Sequence, residues 1–170
     1  MLKSITIAAI GIGLAAGTAL AQVENDRNGF RVVLDGYQEV VPVSTTGTGV
    51  LEVHVALDGQ SLDYALRYAD LIGDVQQAHI HFGRPAINGG IMVFLCTNLG
   101  NSPSAPPCPG PKSGQVSGTL DADDVIGPSG QGIAATEFSE MLGALRSLST
   151  YVNVHSTLYP GGEIRGNIRQ

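Results

Sequence analysis

Basic residues are scarce in this 170-residue chain. It carries 9 Lys and Arg against 15 Asp and Glu, a formal net charge of −6, and the cations never cluster into a run. Nucleic-acid binding needs a cationic footprint for the phosphates, and an electrostatic grip on anionic lipid needs a polybasic segment. Neither kind of partner is expected. Long apolar runs are also missing. Past the N-terminal stretch 5–19, nothing approaches the ~20 apolar residues of a helical membrane span, so no span is expected once that stretch is removed. Cysteine is limited to Cys96 and Cys108, with no second pair to complete a tetrahedral cysteine site. Catalytic signatures are lacking as well. There is no G-x-S-x-G nucleophile elbow. The glycine-rich pieces Gly47-Thr-Gly49 and Gly127-Pro-Ser-Gly130 have no P-loop lysine beside them. Ser44, Thr45 and Thr46 stand in a turn-like stretch without a motif, and Asp123-Asp124 are adjacent in sequence and would not face each other.

The N-terminus has the layout of a secretory signal peptide. Lys3 is followed by an apolar run, Ile5 to Ala19, and by the A-x-A cleavage signal Ala19-Leu20-Ala21. The expected division is a signal peptide over 1–21 and one small domain over 22–170, secreted or periplasmic. Loss of Lys3 takes the charge from −6 to −7, because the segment holds no acidic residue. In an exported protein two cysteines most simply form a disulfide. Closing the Cys96–Cys108 loop would add roughly 2–3 kcal/mol in the chain-entropy model. A metal-ligating pair is the rival reading.

The mature chain has a β-type composition, rich in glycine and without tryptophan. Alternating segments separated by turn residues mark strands at 30–34, 49–57, 61–68, 75–82, 91–96, 115–120, 151–156 and 163–168. In the second of these, Val53, Val55 and Leu57 form one face and Glu52, His54 and Ala56 the other. Asp58-Gly59 then signals a hairpin turn. The prolines and glycines between the cysteines exclude regular structure there. Phe138, Met141, Leu142, Leu145 and Leu148 recur at helical spacing, predicting one helix over about 136–148 with Thr136 as its N-cap. The count implies an all-β sandwich or barrel of about seven to eight strands carrying one short helix.

The chemistry rests with the histidines. In His79-Ile80-His81, residues i and i+2 of a strand point the same way, so two imidazoles stand side by side with Ile80 turned to the core. In Tyr151-Val-Asn-Val-His155, the valines face inward and Tyr151, Asn153 and His155 share the other face. If the two strands are neighbours, three imidazoles converge on the outer, non-core face. Such a set suits copper or zinc and suits magnesium or calcium poorly. His54 lies on the outward face of an early strand and is a candidate fourth ligand. Isolated histidines on strands are common, and the competing reading is that all four are surface or structural.

Leu34-Asp-Gly-Tyr-Gln-Glu-Val-Val-Pro42, Ala78-His-Ile-His-Phe-Gly83, Gly89-Gly-Ile, Tyr151-Val-Asn-Val-His155 and Pro160-Gly-Gly-Glu-Ile-Arg-Gly166 together resemble the CHRD domain, named from chordin. The likeness covers nearly all of the mature chain and implies a secreted or surface β domain without a fixed activity. Val41 stands where that family usually has a second proline, and Ser156 where it usually has threonine. The order H-x-H–Phe-Gly, late V-x-V-H strand and glycine-rich turn with arginine also resembles the copper,zinc superoxide dismutase Greek-key barrel. That likeness implies copper on His79, His81 and His155, with Arg165 guiding an anion such as superoxide. The zinc-binding loop has no counterpart here, and the cysteines are placed differently, so only a copper-like three-histidine site carries over. Glu163 is then expected to orient Arg165 or to support a ligand histidine, unless it simply pairs with Arg165 as a structural lock. Tyr151 and Asn153 would line the site. Two functions remain: a copper-binding, superoxide dismutase-like redox protein, or a non-catalytic binding or structural module.

Overall fold

Period-two alternation of apolar residues drives this chain into strands with one buried and one covered or wet face. The computed structural model describes residues 28–168, and the expected signal peptide lies outside them. Eight strands follow in order: β1 (Gly29–Asp35), β2 (Thr48–Val55), β3 (Leu62–Ala69), β4 (Val75–Phe82), β5 (Gly90–Thr97), β6 (Gly114–Leu120), β7 (Thr150–Ser156) and β8 (Ile164–Asn167). Among the described residues an α-helix, α1 (Phe138–Arg146), precedes β7. The expected all-β class and strand count are present.

The strands form one antiparallel sheet in the order β5-β4-β7-β8-β1-β2-β3-β6. Non-consecutive strands are neighbours at β4–β7, β8–β1 and β3–β6, the long-return connectivity of a Greek key. The edge strands β5 and β6 approach each other, so the sheet curls into a nearly closed barrel. Two features hold that seam. Tyr64 on β3 donates its hydroxyl to the Leu95 carbonyl on β5 at 2.7 Å. The expected disulfide is present: Cys96 on β5 is bonded to Cys108, in the segment leading into β6, with a 2.05 Å S–S bond.

Inward residues of every strand meet in one core, with Leu34, Leu51, Leu66, Ile80, Val152 and Ile164 all buried. Helix α1 lays Phe138, Met141, Leu142 and Leu145 on it. Two expectations need correction. Leu57 does not share the core face of Val53 and Val55, because β2 stops at Val55 and Leu57 is 85% exposed in the turn. The helix is also shorter than 136–148. Thr136 is held at φ +68° and caps nothing, and Leu148 has likewise left the helix at φ +57°.

Candidate metal centre

Strand register fixes which side chains meet. On β4 and β7, His79 stands opposite Asn153, His81 opposite Tyr151, and Gln77 opposite His155. On the next strand Arg165 stands opposite Asn153. Ala78, Ile80, Val152 and Val154 fill the core between them, so the polar set shares the outer face, as the alternation requires. That face is not open. His79, His81 and His155 are only 1%, 7% and 7% exposed. The sequence pattern suggests a solvent-facing surface, but the loop 83–89, the turn 157–162 and the Phe94 ring roof it over. Phe94 packs edge-on against His79 at 4.4 Å between ring centres.

The three histidines each present a ring nitrogen to a common region, all within 4.8 Å of one another. His79 Nδ1 lies 3.2 Å from His155 Nε2. Backbone carbonyls set two of the tautomers. His81 Nδ1 is 2.9 Å from the Gly89 carbonyl, and His155 Nδ1 is 2.9 Å from the Pro160 carbonyl. A carbonyl can only accept, so each Nδ1 carries the proton and each Nε2 keeps its lone pair. Burial keeps the rings neutral. It pushes the pKa of His79 down to about 2, with help from the neighbouring imidazoles, and that of His81 down to about 4. It lowers His155 as well, against the Pro160 hydrogen bond. His81 Nε2 has no hydrogen-bond partner although it is buried, and His79 turns its Nδ1 to the His155 ring. Neutral imidazoles held by carbonyls on the far nitrogen, with an unpaired nitrogen left in the interior, form a donor set that fits a transition-metal ion.

The surrounding residues divide the remaining tasks. Tyr151 stacks on His81, with centroids 4.6 Å apart and planes 5° from parallel. Arg165 is fully buried. Its guanidinium donates to Asn88 Oδ1 at 3.2 Å, to the Arg84 carbonyl at 3.3 Å and to the Ile87 carbonyl at 2.9 Å. It therefore braces the loop whose next residue, Gly89, holds His81. The Glu163 carboxylate accepts from Thr45 Oγ1 at 2.7 Å, the amides of Ile72 at 2.6 Å and Gly73 at 3.2 Å, and Ser156 Oγ. Burial pulls its pKa up, but these bonds together hold it below the ordinary carboxylate range. Glu163 thus clamps the segments around β7 and β8, while carbonyls serve the histidines. His54 is exposed on β2, three strands along the sheet from β7, and is not among the converging group.

Three participants escaped the residue-type search: the Gly89 and Pro160 carbonyls, which carry no side-chain signal, and Glu39. Glu39 is 8% exposed. Burial raises its pKa to about 7, against the opposing pull of Arg165 and the Asn153 amide. It lines a cleft of about 610 Å³ together with Asn88, Pro160 and Gly162. Each of the three lies in one of the quoted sequence motifs (34–42, 89–91 and 160–166), so their positions were marked although their roles were not.

No curated protein and no solved structure matches the chain. The CHRD domain family model matches residues 30–168. That stretch takes in all three histidines, the carbonyls that hold them, and every strand but the first residue of β1. The chain belongs to the CHRD domain family.

Proposed function

We propose that this CHRD-domain protein is exported and binds one metal ion, copper ahead of zinc, through His79, His81 and His155. The observation that carries this is the buried group of three neutral imidazoles, two of them oriented by backbone carbonyls. Imidazole suits copper and zinc, and copper heads the affinity order among divalent first-row ions. The family, the disulfide and the A-x-A segment support export. A bound copper ion would supply one-electron chemistry. Superoxide dismutase-like turnover is the activity to assay. Arg165 is committed to the Tyr151 ring, 3.4 Å from its guanidinium carbon, and to loop carbonyls, which leaves it poorly placed to capture anions from bulk water, so holding the metal has precedence over turnover.

The test is titration of the mature protein, without oxygen, with Cu(I), Cu(II) and Zn(II), followed by a superoxide assay on the loaded forms. One ion per chain is expected, abolished by His79→Ala and His155→Ala and unaffected by His54→Ala. Binding that survives His79→Ala and His155→Ala would show the site assignment to be wrong. Absence of binding would return the protein to the structural-module reading.

A further inference from the structure

We propose that Asn153 is the fourth metal donor, through its side-chain oxygen, so that the protein closes the site from four sides. This rests on the metal-binding reading above and goes beyond it.

The side-chain oxygen of Asn153 lies 3.0 Å from His155 Nε2. His155 directs its Nδ1 at the Pro160 carbonyl, and in that tautomer the lone pair of Nε2 faces the Asn153 oxygen. The same side chain lies against His81, whose Nε2 is also bare, because its proton is directed at Gly89. The amide nitrogen of Asn153 is turned the other way, toward Glu39 and the turn at Gly162, which leaves the oxygen aimed among the histidines. Around one point, then, stand the Asn153 oxygen, His155 Nε2, His81 Nε2 and the near nitrogen of His79. A cation satisfies all four.

The spacing agrees. Bonds of ~2.0–2.1 Å to a tetrahedral ion place neighbouring donors about 3.3 Å apart. His79 Nδ1 to His155 Nε2 is 3.2 Å, and Asn153 Oδ1 to His155 Nε2 is 3.0 Å. Strand register produces this without special loops, because Asn153 stands opposite His79 and two residues before His155. An amide oxygen is a hard donor, so the set should favour divalent copper or zinc over Cu(I). Four protein donors also describe a closed site of the structural type, in which no position is kept open for substrate.

The experiment uses the full mature protein and three variants. Asn153→Cys, loaded with Cu(II) or Co(II), should show a thiolate-to-metal charge-transfer absorption that only a coordinating residue can give. Asn153→Ala should bind Zn(II) and Cu(II) at least about tenfold more weakly, with an altered Cu(II) electron paramagnetic resonance spectrum. Asn153→Asp, which keeps an oxygen in place, should restore tight binding. If Asn153→Cys takes up metal without the absorption, or if Asn153→Ala keeps wild-type affinity and spectrum, Asn153 is not a donor and the three-histidine site stands without it. If the wild-type protein takes up no metal, both readings fall. Should the alanine and cysteine variants fail to fold, Asn153→Asp decides the matter: a Cu(II) spectrum unchanged from wild type, where a carboxylate had replaced an amide donor, would overturn the assignment.

Discussion

The guanidinium carbon of Arg165 lies 3.4 Å from the centre of the Tyr151 ring. Tyr151 stacks in turn on His81, and the strand order β4-β7-β8 places His81 and Arg165 on either side of it. A buried arginine here works by packing and by holding a loop. Arg165→Met should remove a desolvated cation–π contact and leave the Ile87 carbonyl without its arginine donor, costing roughly 3 kcal/mol. Arg165→Lys should not rescue it, because an ammonium cannot reproduce the planar stack and fork of donors. Urea unfolding of the metal-free proteins measures this. A loss below about 0.5 kcal/mol would mean that the stack and loop contacts contribute little. Metal affinity should fall with stability, since the same loop supplies the carbonyl that holds His81.

Much of this was legible in the residues. Alternation gives the strands because period two is a local property, and it places His79 and His81 on one face for the same reason. That β4 and β7 would be neighbours was a conditional reading, because pairing between strands some 70 residues apart is settled by the whole sheet. What alternation cannot show is the roof. Residues off the core face read as solvent-exposed until loops cover them, so the burial of the histidines was missed. Arg165 read as an anion guide because its charge is visible in sequence, whereas the loop carbonyls that engage it are not. Thr136 read as an N-cap from its residue type, but its left-handed backbone turns the chain away from that role.

Three buried imidazoles should make the metal-free protein acid-labile. Their ordinary pKa is about 6.5, and burial lowers all three, to about 2 for His79 and about 4 for His81. As pH falls below about 6.5 the unfolded chain takes up protons that the folded chain refuses, so stability drops. Glu163, whose folded pKa is lowered from 4.5, adds to the loss as pH falls through the carboxylate range. Glu39 acts the other way. Its folded pKa is raised from 4.5 to about 7, so acidification across that interval favours the folded state. The opposing effects should partly cancel above pH ~4.5, and below it only the losses remain. Because three histidines oppose one carboxylate, denaturant midpoints for the metal-free protein should already fall between pH 6.5 and 5 and continue to fall to pH 3.5. In Glu39→Gln the decline between pH 6.5 and 5 should be steeper than in wild type. A flat profile down to pH 3.5 would contradict the buried neutral histidines.

Cutting the Cys96–Cys108 bond should loosen the barrel at its seam rather than melt it evenly. In the chain-entropy model a loop of this length contributes about 3 kcal/mol. The Asn98 side chain gives the same loop a second tie, accepting from the Cys108 amide at 3.0 Å and donating to its carbonyl at 3.1 Å, so reduction should not release the segment completely. Hydrogen exchange of the Cys96→Ser, Cys108→Ser double variant should show the largest gains in β5 and β6, with β1 and β2 close to wild type. Because Phe94 on β5 packs on His79, metal affinity should also weaken. Uniform acceleration across all strands would show that the bond stabilises the fold as a whole and not the seam.

The neighbouring glycines 161 and 162 should respond in opposite ways to alanine. At Gly161 an added Cβ meets nothing within 4 Å, and the backbone is not in the left-handed region, so Gly161→Ala should lie within about 0.5 kcal/mol of wild type. At Gly162 the backbone has φ +128°, which strains any residue with a side chain. The added carbon would also stand 2.2 Å from Glu39 Oε1 and 2.9 Å from Asn153 Nδ2. It cannot be accommodated unless those two side chains move. Gly162→Ala should therefore cost roughly 1–3 kcal/mol through the backbone alone and, by displacing Asn153, should weaken metal binding more than its stability loss accounts for. Comparing metal affinity with unfolding free energy in the two variants separates these effects. If Gly162→Ala loses stability while its metal affinity matches that of Gly161→Ala, the turn matters only as a turn, and its packing against Asn153 does not position the amide for the metal.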